Sequence, residues 1–494
     1  MIQPDRLATK IGHLVQEEMD GIVHGFLCLL LENGFTVWAV GGIIRDTALE
    51  RPVADIDLVT DKDPVELADC FAIKHGLGYV VLDDGRRIAR IVVGGNNRLN
   101  TVDVALMQGG SMDDDLRKRD FTINAVAARF DGDGFTIHDP LGGLADLESK
   151  MLRPVSQTSM RDDPVRVLRA CRFENSHNLA PSPQIQAMSV DVAPLLAGVA
   201  GERISQELFH ILCEPFSHKA IKAMDRDGSL DFVFPELSPA RSAPQNKWHH
   251  LDVFNHSIES LTQMEKILAN PPDWLTQWLP IINESLCEEV AGGWRRREIL
   301  KIAALLHDVG KPGSSGLSDE GEITFYGHEK AGESIATHAA NRLRLPGAVR
   351  NGLGILVKNH LRPFNAIHEG ELSQRSLYRF HRALGEWAIP ALLHAVADAM
   401  ATQGPAVTER RRLAERASAV KAFDYIQHAL NTPQPREPLL DGHDIMKVFN
   451  LPQGELIGRL LALVEEARAL GEITSREEAV ELVKKELVRL TPPS

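Results

Sequence analysis

The chain has few cysteines, no excess of positive charge and no long apolar run. Each shortage removes a class of protein. Its five cysteines (Cys28, Cys70, Cys171, Cys213 and Cys287) are scattered without CxxC spacing, so neither a disulfide framework nor a cysteine zinc site is expected. No stretch of about 18 apolar residues occurs, and the opening MIQPDRLATK lacks the basic, apolar and small-residue order of a signal peptide. A reducing, cytoplasmic setting without membrane insertion is therefore expected. The formal net charge of −14 disfavours a generic polyanion binder. Any nucleic-acid contact must use local clusters such as Arg161 to Arg172, Arg295 to Arg297 or Arg410 to Arg412. Internal repeats and low-complexity tracts are missing too.

With 494 residues, 44% hydrophobic and 25% charged, the chain has the composition of a multidomain globular protein. The pattern predicts a helix through Phe26 to Leu31, a turn at Asn33-Gly34 and a strand over 36–40 ending in Gly41-Gly42. Further strands are predicted at 55–59, 78–82, 87–93 and 101–105. Residues 1–150 thus read as an α/β head. Apolar residues at helical spacing (Val165, Leu168, Cys171; Ile204, Leu208, Ile211, Leu212) make 151–240 an all-helical neck, and Pro235 to Pro244 reads as a linker. A histidine-rich helical region is predicted over 241–405 and a helical tail over 406–494, with a break at 431–435. The fold class expected is α+β and multidomain, with a mixed sheet in the head and all-α units after it.

Asp55 and Asp57 lie two apart on a predicted strand and share one face, while Asp103 lies on another strand. A lone DxD is usually a solvated strand end. Here glycines precede it, a third aspartate follows, and the segment DLRKRDFTINA comes next. Clustered carboxylates can hold Mg²⁺ ions that activate a hydroxyl and stabilise a leaving pyrophosphate, and a Gly-Gly turn lets backbone approach triphosphate oxygens. In RDDPVRVLRACRF, Asp163 and Arg166 are spaced to be neighbours on one helix face, where acceptor and donor together complement the Watson–Crick edges of C and A. As a purely structural pair they would form a surface salt bridge.

The run VGGIIRDTALERPVADIDLVT, followed by RKRDFTINA, DPLGG and RDDPVRVLRACRF, resembles class II nucleotidyltransferases, the superfamily of tRNA CCA-adding enzymes and poly(A) polymerases, over residues 35–210. The resemblance implies that Asp55 and Asp57 bind Mg²⁺, with Asp103 as third catalytic carboxylate. Gly41, Gly42, Arg45, Asp46, Arg119, Asp120 and Asn124 would bind the nucleotide. Asp163 and Arg166, supported by Asp162, would select the base, and Arg169 and Arg172 would extend toward triphosphate or RNA. Lys118-Arg119 stands where the family has paired arginines, which keeps the charge and loses one planar fork. Only VALMQGGSMDD separates Asp103 from Asp115. That shortness resembles members adding part of the CCA end, notably CC-adding ones.

The apolar run Ile302 to Leu306 leads straight into His307-Asp308, a pattern that amphipathicity does not explain and a metal site does. His256 lies upstream; His328, His360 and Asp398 lie downstream, whereas His381 and His394 read as ordinary surface or core residues. Imidazoles with carboxylates suit Mn, Ni, Fe or Zn. The ordered set resembles the HD phosphohydrolases over about 245–400. That resemblance implies His256, His307, Asp308 and Asp398 as core ligands, His328 and His360 for a second metal, and Lys311 stabilising phosphate charge. Hydrolysis of phosphomonoesters or 2′,3′-cyclic phosphates would follow. The tail resembles the RNA-binding end of the same nucleotidyltransferases. The expected activity is CMP and/or AMP addition to a tRNA 3′ end from CTP and ATP. The alternatives are a poly(A) polymerase and a catalytically inactive RNA-binding protein.

Overall fold

In the computed structural model the described residues are 2–17, 21–93, 101–365, 373–431 and 437–490. The chain forms two compact units, one of residues 1–214 and 219–233, the other of 215–218 and 234–494.

The first unit is built on a seven-stranded mixed sheet. Its strands are β1 (Val37–Val40), β2 (Asp55–Thr60), β3 (Gly78–Asp83), β4 (Ile88–Val92), β5 (Thr101–Leu106), β6 (Ala127–Phe130) and β7 (Phe135–His138), in the order β3-β4-β5-β2-β1-β6-β7. Among the described residues of this sheet only the β2–β5 pair is parallel, in a register that sets Asp57 opposite Asp103 and Asp55 opposite Thr101. Alternation explains the local outcome: Ile56 and Leu58 are buried in the core, which turns Asp55 and Asp57 to the other face. Helices Pro4–Glu17, Ile22–Glu32 and Val65–His75 cover the sheet with Leu7, Ile11, Phe26, Leu30 and Phe71, each fully buried large side chain contributing roughly 1.5–3 kcal/mol.

The neck follows as helices Arg166–Ser176, Pro183–Val192 and Gly201–Cys213. Phe173 reaches back into the sheet's core and meets Phe121 edge-on at 5.7 Å, so neck and head share one hydrophobic interior. The expected helical apolar set Val165, Leu168, Cys171, Ile204, Leu208, Ile211 and Leu212 is buried throughout.

The second unit is almost entirely helical. Helices Val253–Ala269, Arg296–Leu306, His328–Arg342, Gly347–Asn359 and Ala388–Ala401 pack around one another, and Glu409–Asn431 lies along Ala388–Ala401, where Phe423 stacks on Trp278 at 5.4 Å. The predicted linker over 235–244 is instead ordered. Pro235 opens a short 3₁₀ helix, Pro235–Ala240, whose Leu237 and Ala240 are buried and whose Glu236 pairs with Arg342 at 2.9 Å. Proline preorganises a helical first turn, and apolar residues three apart anchor it. The tail helices Gly442–Phe449, Glu455–Ala469 and Arg476–Leu490 share a small core of Ile445, Leu460, Val464 and Val483, and Arg379 of helix Gln374–Leu384 clasps the buried Glu466 carboxylate at 2.7 and 2.9 Å. The break expected at 431–435 lies outside the described residues except for Asn431. Among the described residues no helix is long and apolar enough to cross a membrane.

Candidate active sites

The first unit holds a polar cleft of about 620 Å³ lined by Gly41, Gly42, Arg45, Asp46, Asp55, Asp57, Arg119, Asp120, Asn124, Asp163, Arg166, Arg169 and Arg172. Thirteen of the predicted positions thus meet in one place although they are spread over more than 130 residues of sequence. Asp103 lies beside Asp57 on the neighbouring strand; its carboxylate is held by both arms of Arg90 at 2.7 Å, and it is not among the residues lining the cleft. Asp55 accepts from Thr101 Oγ1 at 2.6 Å. For these reasons Asp55, Asp57 and Asp103 are not among the described groups whose ligand atoms all lie within 4.8 Å of one another.

Burial raises the pKa of Asp57; Asp103 and Asp55 push the same way, against Arg119 and Arg45. A site that crowds carboxylates while burying one of them favours an arriving cation, so the donor set fits Mg²⁺. Gly41 makes the cleft wall possible. Its φ is +70°, and a Cβ there would sit 3.4 Å from both Asp57 Oδ2 and Arg119 Nη1.

The floor is a braced network. Arg45 forks onto Asp46 at 2.9 and 2.8 Å and reaches Asn124 Oδ1 at 2.6 Å, while Asn124 donates to the buried Asp120 at 3.0 Å. Arg169 binds Asp120 at 2.8 Å. Burial pushes the Asp120 carboxyl up, but Arg169, the Asn124 amide and the Phe121 N–H outweigh it and hold the pKa at about 2. Glu207, on the helix Gly201–Cys213, accepts from Arg169 at 3.2 Å and Arg172 at 3.0 Å. The Phe173 ring lies beneath three guanidinium groups, Arg172 at 4.6 Å, Arg45 at 5.0 Å and Arg169 at 5.8 Å. Phe173 of helix Arg166–Ser176 and Arg203, Gln206, Glu207 and His210 also line the cleft and escaped the sequence reading; the last four sit on helix Gly201–Cys213, which shows only an ordinary amphipathic pattern.

The expected Asp163–Arg166 helix pair requires correction. Asp163 ends the short helix Ser159–Asp162 in an extended conformation (φ −146°, ψ 98°), and Arg166 begins the next helix. Pro164 is the cause, because a residue preceding proline is pushed out of the helical region. The two side chains do not pair with each other. Arg203 takes Asp163 at 2.8 Å, and Arg166 donates to the carbonyls of Lys118, Arg119 and Ser159 at 2.7, 3.0 and 2.9 Å. Both nevertheless line the cleft.

The connection after β5 is tied down. The buried Asp115 accepts from Gln108 N at 3.0 Å and from Arg119 at 3.1 Å, and Lys118 Nζ reaches Gln108 O at 3.0 Å.

In the second unit the structure brings all six predicted histidines and aspartates together. Two ligand sets share Asp308: His256, His307 and Asp308, and Asp308, His328 and His360. Asp398 joins the first, 2.7 Å from His256 Nε2 and 3.5 Å from His307 Nε2. His307, His328 and His360 each donate Nδ1–H to the carbonyl three residues back (Ala304, Phe325 and Val357) at 2.9, 2.7 and 2.7 Å. That bond fixes the tautomer and leaves every Nε2 to face inward. His307 Nε2 is buried with no partner in hydrogen-bonding geometry. Burial opposes charge on His307, yet Asp308 and Asp398 raise its pKa to about 10, so the pocket attracts positive charge. An inward-facing His/Asp set with a shared carboxylate fits two divalent metal ions.

Lys311 is buried beside this set, 2.5 Å from Asp308 and 2.7 Å from Gln245. His394 is a core residue as expected, and its ring lies 4.8 Å from that of His307. His249 was not anticipated. It packs at 4.6 Å on His256, and burial, Lys311 and His256 lower its pKa to about 3.

Comparison with known proteins bears on both units. Residues 37–108 and 94–153 match the poly A polymerase head domain, 178–241 the probable RNA and SrmB-binding site of polymerase A, and 253–427 the HD domain. These matches place the chain in the class of nucleotidyltransferases with a poly(A) polymerase-type head and an HD domain. The chain is 34% identical over 454 residues to the A-adding tRNA nucleotidyltransferase of Deinococcus radiodurans, across 90% of this chain and 94% of that one. It is 30% identical over 477 residues to the CC-adding tRNA nucleotidyltransferase of Geobacter sulfurreducens, across 94% and 95%. It belongs to the tRNA nucleotidyltransferase family. The fold matches that of the Thermotoga maritima CCA-adding enzyme complexed with tRNA (TM-score 0.61, 21% identity, 98% of both chains) and of a CCA-adding enzyme with ATP (TM-score 0.64, 21% identity, 96% and 97%).

Proposed function

We propose that this protein transfers nucleotides from CTP or ATP to the 3′ end of tRNA and completes only one stage of the CCA end, either CC or the terminal A. The tied connection between β5 and Asp115 carries the second half of that reading. A pocket that switches from C to A needs a segment free to move, and here Asp115 and Lys118 clamp both ends of the peptide at Gln108. The A-adding and CC-adding names of the two relatives described above support the same division of labour.

Asp55 and Asp57 are the residues that would hold Mg²⁺, which activates the 3′-hydroxyl and neutralises pyrophosphate. The hydroxyl oxygen attacks the α-phosphorus, its proton passes to solvent or a cleft carboxylate, and the α–β phosphoanhydride bond breaks to release pyrophosphate. Asp103 stays tethered to Arg90 and adds negative potential beside Asp57. Arg45, Arg119, Arg169 and Arg172 line the triphosphate path, with Asp46 and Asn124 holding Arg45, Asp115 holding Arg119, and Asp120 and Glu207 holding Arg169 and Arg172. Arg203 orients the Asp163 carboxylate to accept from a C or A exocyclic amine, and Arg166 presents its remaining N–H to the ring acceptor, which disfavours U and G.

In this reading the second unit is a phosphohydrolase; His256, His307, Asp308 and Asp398, with His328 and His360, are the residues that would hold transition-metal ions such as Mn, Ni, Fe or Zn, which would supply an activated hydroxide and Lewis acidity. Lys311 balances charge on the phosphate. We place this unit's core at 253–431, because helix Glu409–Asn431 belongs to it, and assign the helices after 437 to RNA contact. The cell compartment is the cytoplasm.

The test offers tRNAs ending at the discriminator base, at C, or at CC, with CTP and ATP singly and together, and sequences the products. Arrest at CC, or A added only to CC ends, upholds the reading. Complete CCA refutes the single-stage assignment, long A tails favour poly(A) polymerase, and no incorporation favours an inactive RNA-binding protein. Changing Asp55 and Asp57 to Ala abolishes incorporation and spares tRNA binding; undiminished incorporation would refute the metal assignment. His307→Ala with Asp308→Ala abolishes hydrolysis of 2′,3′-cyclic AMP.

A further inference from the structure

A second cavity, of about 310 Å³, opens in the helical unit away from the metal ligands. Its size lies at the lower end of the ~300–1,000 Å³ range of small-molecule sites. Trp274 forms one wall, Arg412 and Arg416 of helix Glu409–Asn431 rim it, and the helix Ala388–Ala401 supplies the apolar floor.

Two observations suggest what this cavity takes. Among the described residues neither Arg412 nor Arg416 has a carboxylate partner, whereas their neighbour Glu415 is committed to Arg411 at 2.7 Å. Glu415 also lines the cavity but is engaged by Arg411, so the two exposed guanidinium groups at this mouth have no carboxylate of their own and offer a site for an anion. The Arg416 guanidinium also lies 5.5 Å from the Trp274 ring, so cation and aromatic face share one opening. An aromatic wall beside paired positive charge suits a flat ring carrying an anionic group.

The floor ties this cavity to the metal centre. Val396, Ala399, Met400 and the following Gln403 recur at positions 0, 3, 4 and 7 and line it. His394 and Asp398, four apart on the same helix, point to the metal ligands instead. Successive residues of an α-helix are offset by about 100°, so the Ala399 stripe and the Asp398 stripe are adjacent faces of one rod. A ligand seated on the first face therefore abuts the helix that carries Asp398 to the metal ligands.

We propose that this cavity is an effector site for a nucleoside monophosphate, distinct from the nucleotidyl-transfer cleft, whose occupancy adjusts hydrolysis at the HD centre through the helix Ala388–Ala401. The choice of nucleotides among aromatic anions rests on the transferase reading above, whose own test, incorporation into tRNA, is read separately.

The experiment titrates AMP and CMP, without divalent metal, into the full-length protein and follows tryptophan emission. Trp274→Phe assigns the signal, and the double variant Arg412→Glu with Arg416→Glu removes the anion site. Both substitutions lie in the helical unit, and incorporation into tRNA is followed alongside as a separate readout. The expected result is a saturable emission change that Trp274→Phe loses and that the double variant shifts at least tenfold to higher nucleotide concentration. With Mn²⁺ restored, saturating AMP also changes the rate of bis(p-nitrophenyl) phosphate hydrolysis in the wild type and not in the double variant. An emission change that persists in Trp274→Phe, or an affinity the double variant does not alter, overturns the site. Unaltered binding-dependent hydrolysis overturns the coupling.

Discussion

Gly310→Ala should disable the second metal position of the HD centre while leaving nucleotide addition intact. Gly310 follows His307-Asp308 by two residues, and the first turn of helix His328–Arg342 presses directly on it. A Cβ at Gly310 would lie 2.2 Å from the His328 carbonyl oxygen and 2.7 Å from Gly332 N, against the 3.0 Å below which real Cβ contacts essentially do not occur. The two backbones must therefore part by at least about 0.8 Å, and no flexible side chain can absorb the shift. Overpacking of this kind costs about 1–3 kcal/mol. The displaced element carries His328, whose Nε2 now stands 3.5 Å from Asp308 Oδ1 and 3.3 Å from His360 Nε2. Disturbing the support of a metal ligand typically weakens affinity by ~10–100-fold. Metal titration by calorimetry, with the stoichiometry checked by plasma mass spectrometry, should show one of two sites weakened by that factor. Hydrolysis of 2′,3′-cyclic AMP should fall with it and tRNA extension should not. Gly458→Ala is the control, because a Cβ there meets nothing within 4 Å and sits in the helix Glu455–Ala469. A Gly310→Ala protein that binds two ions at wild-type affinity would refute the close-contact argument.

Asp120→Asn should lower stability at pH 7 by about 3 kcal/mol, since it leaves Arg169 with Glu207 alone in a buried site. Its folded pKa of about 2 lies below the ordinary 3.8, so the stabilisation is present above about pH 4 and disappears as pH falls toward 2. Urea unfolding across pH 2–7 should therefore show a steeper acid loss in the wild type than in the variant. Arg166→Ala or Asp163→Ala should raise misincorporation of U and G by one to two orders of magnitude, the ~1–3 kcal/mol expected of a base-edge contact, in single-nucleotide incorporation assays. Glu207→Gln should raise the KM for the nucleotide more than it lowers kcat, because it frees Arg169 and Arg172 from one carboxylate each. Chelation of divalent ions should stop both reactions, with Mg²⁺ alone restoring extension and Mn²⁺ or a similar ion required for hydrolysis.

Much of this molecule was readable from one-dimensional spacing. Asp55 and Asp57 two apart on a strand, Gly41 before a helix, and His307-Asp308 at the end of an apolar helix all follow from local periodicity, and so do the strands and helices that carry them. The Asp163–Arg166 pair was misjudged because helical spacing was extended through Pro164, which breaks it. Glu207, Arg203 and His249 left no signal at all, because each acts through partners that are distant in sequence.

The sequence by itself determined which residues can do chemistry and which local element bears each, since side-chain type and backbone periodicity are properties of short segments. The tertiary structure decided which of them meet. The parallel β2–β5 register put Asp103 opposite Asp57, Arg90 from the other neighbouring strand took its carboxylate, and the packing of separate helices made Asp308 the carboxylate common to two histidine sets. Such outcomes depend on competition among partners brought together by burial of the core, a contest that no local pattern records.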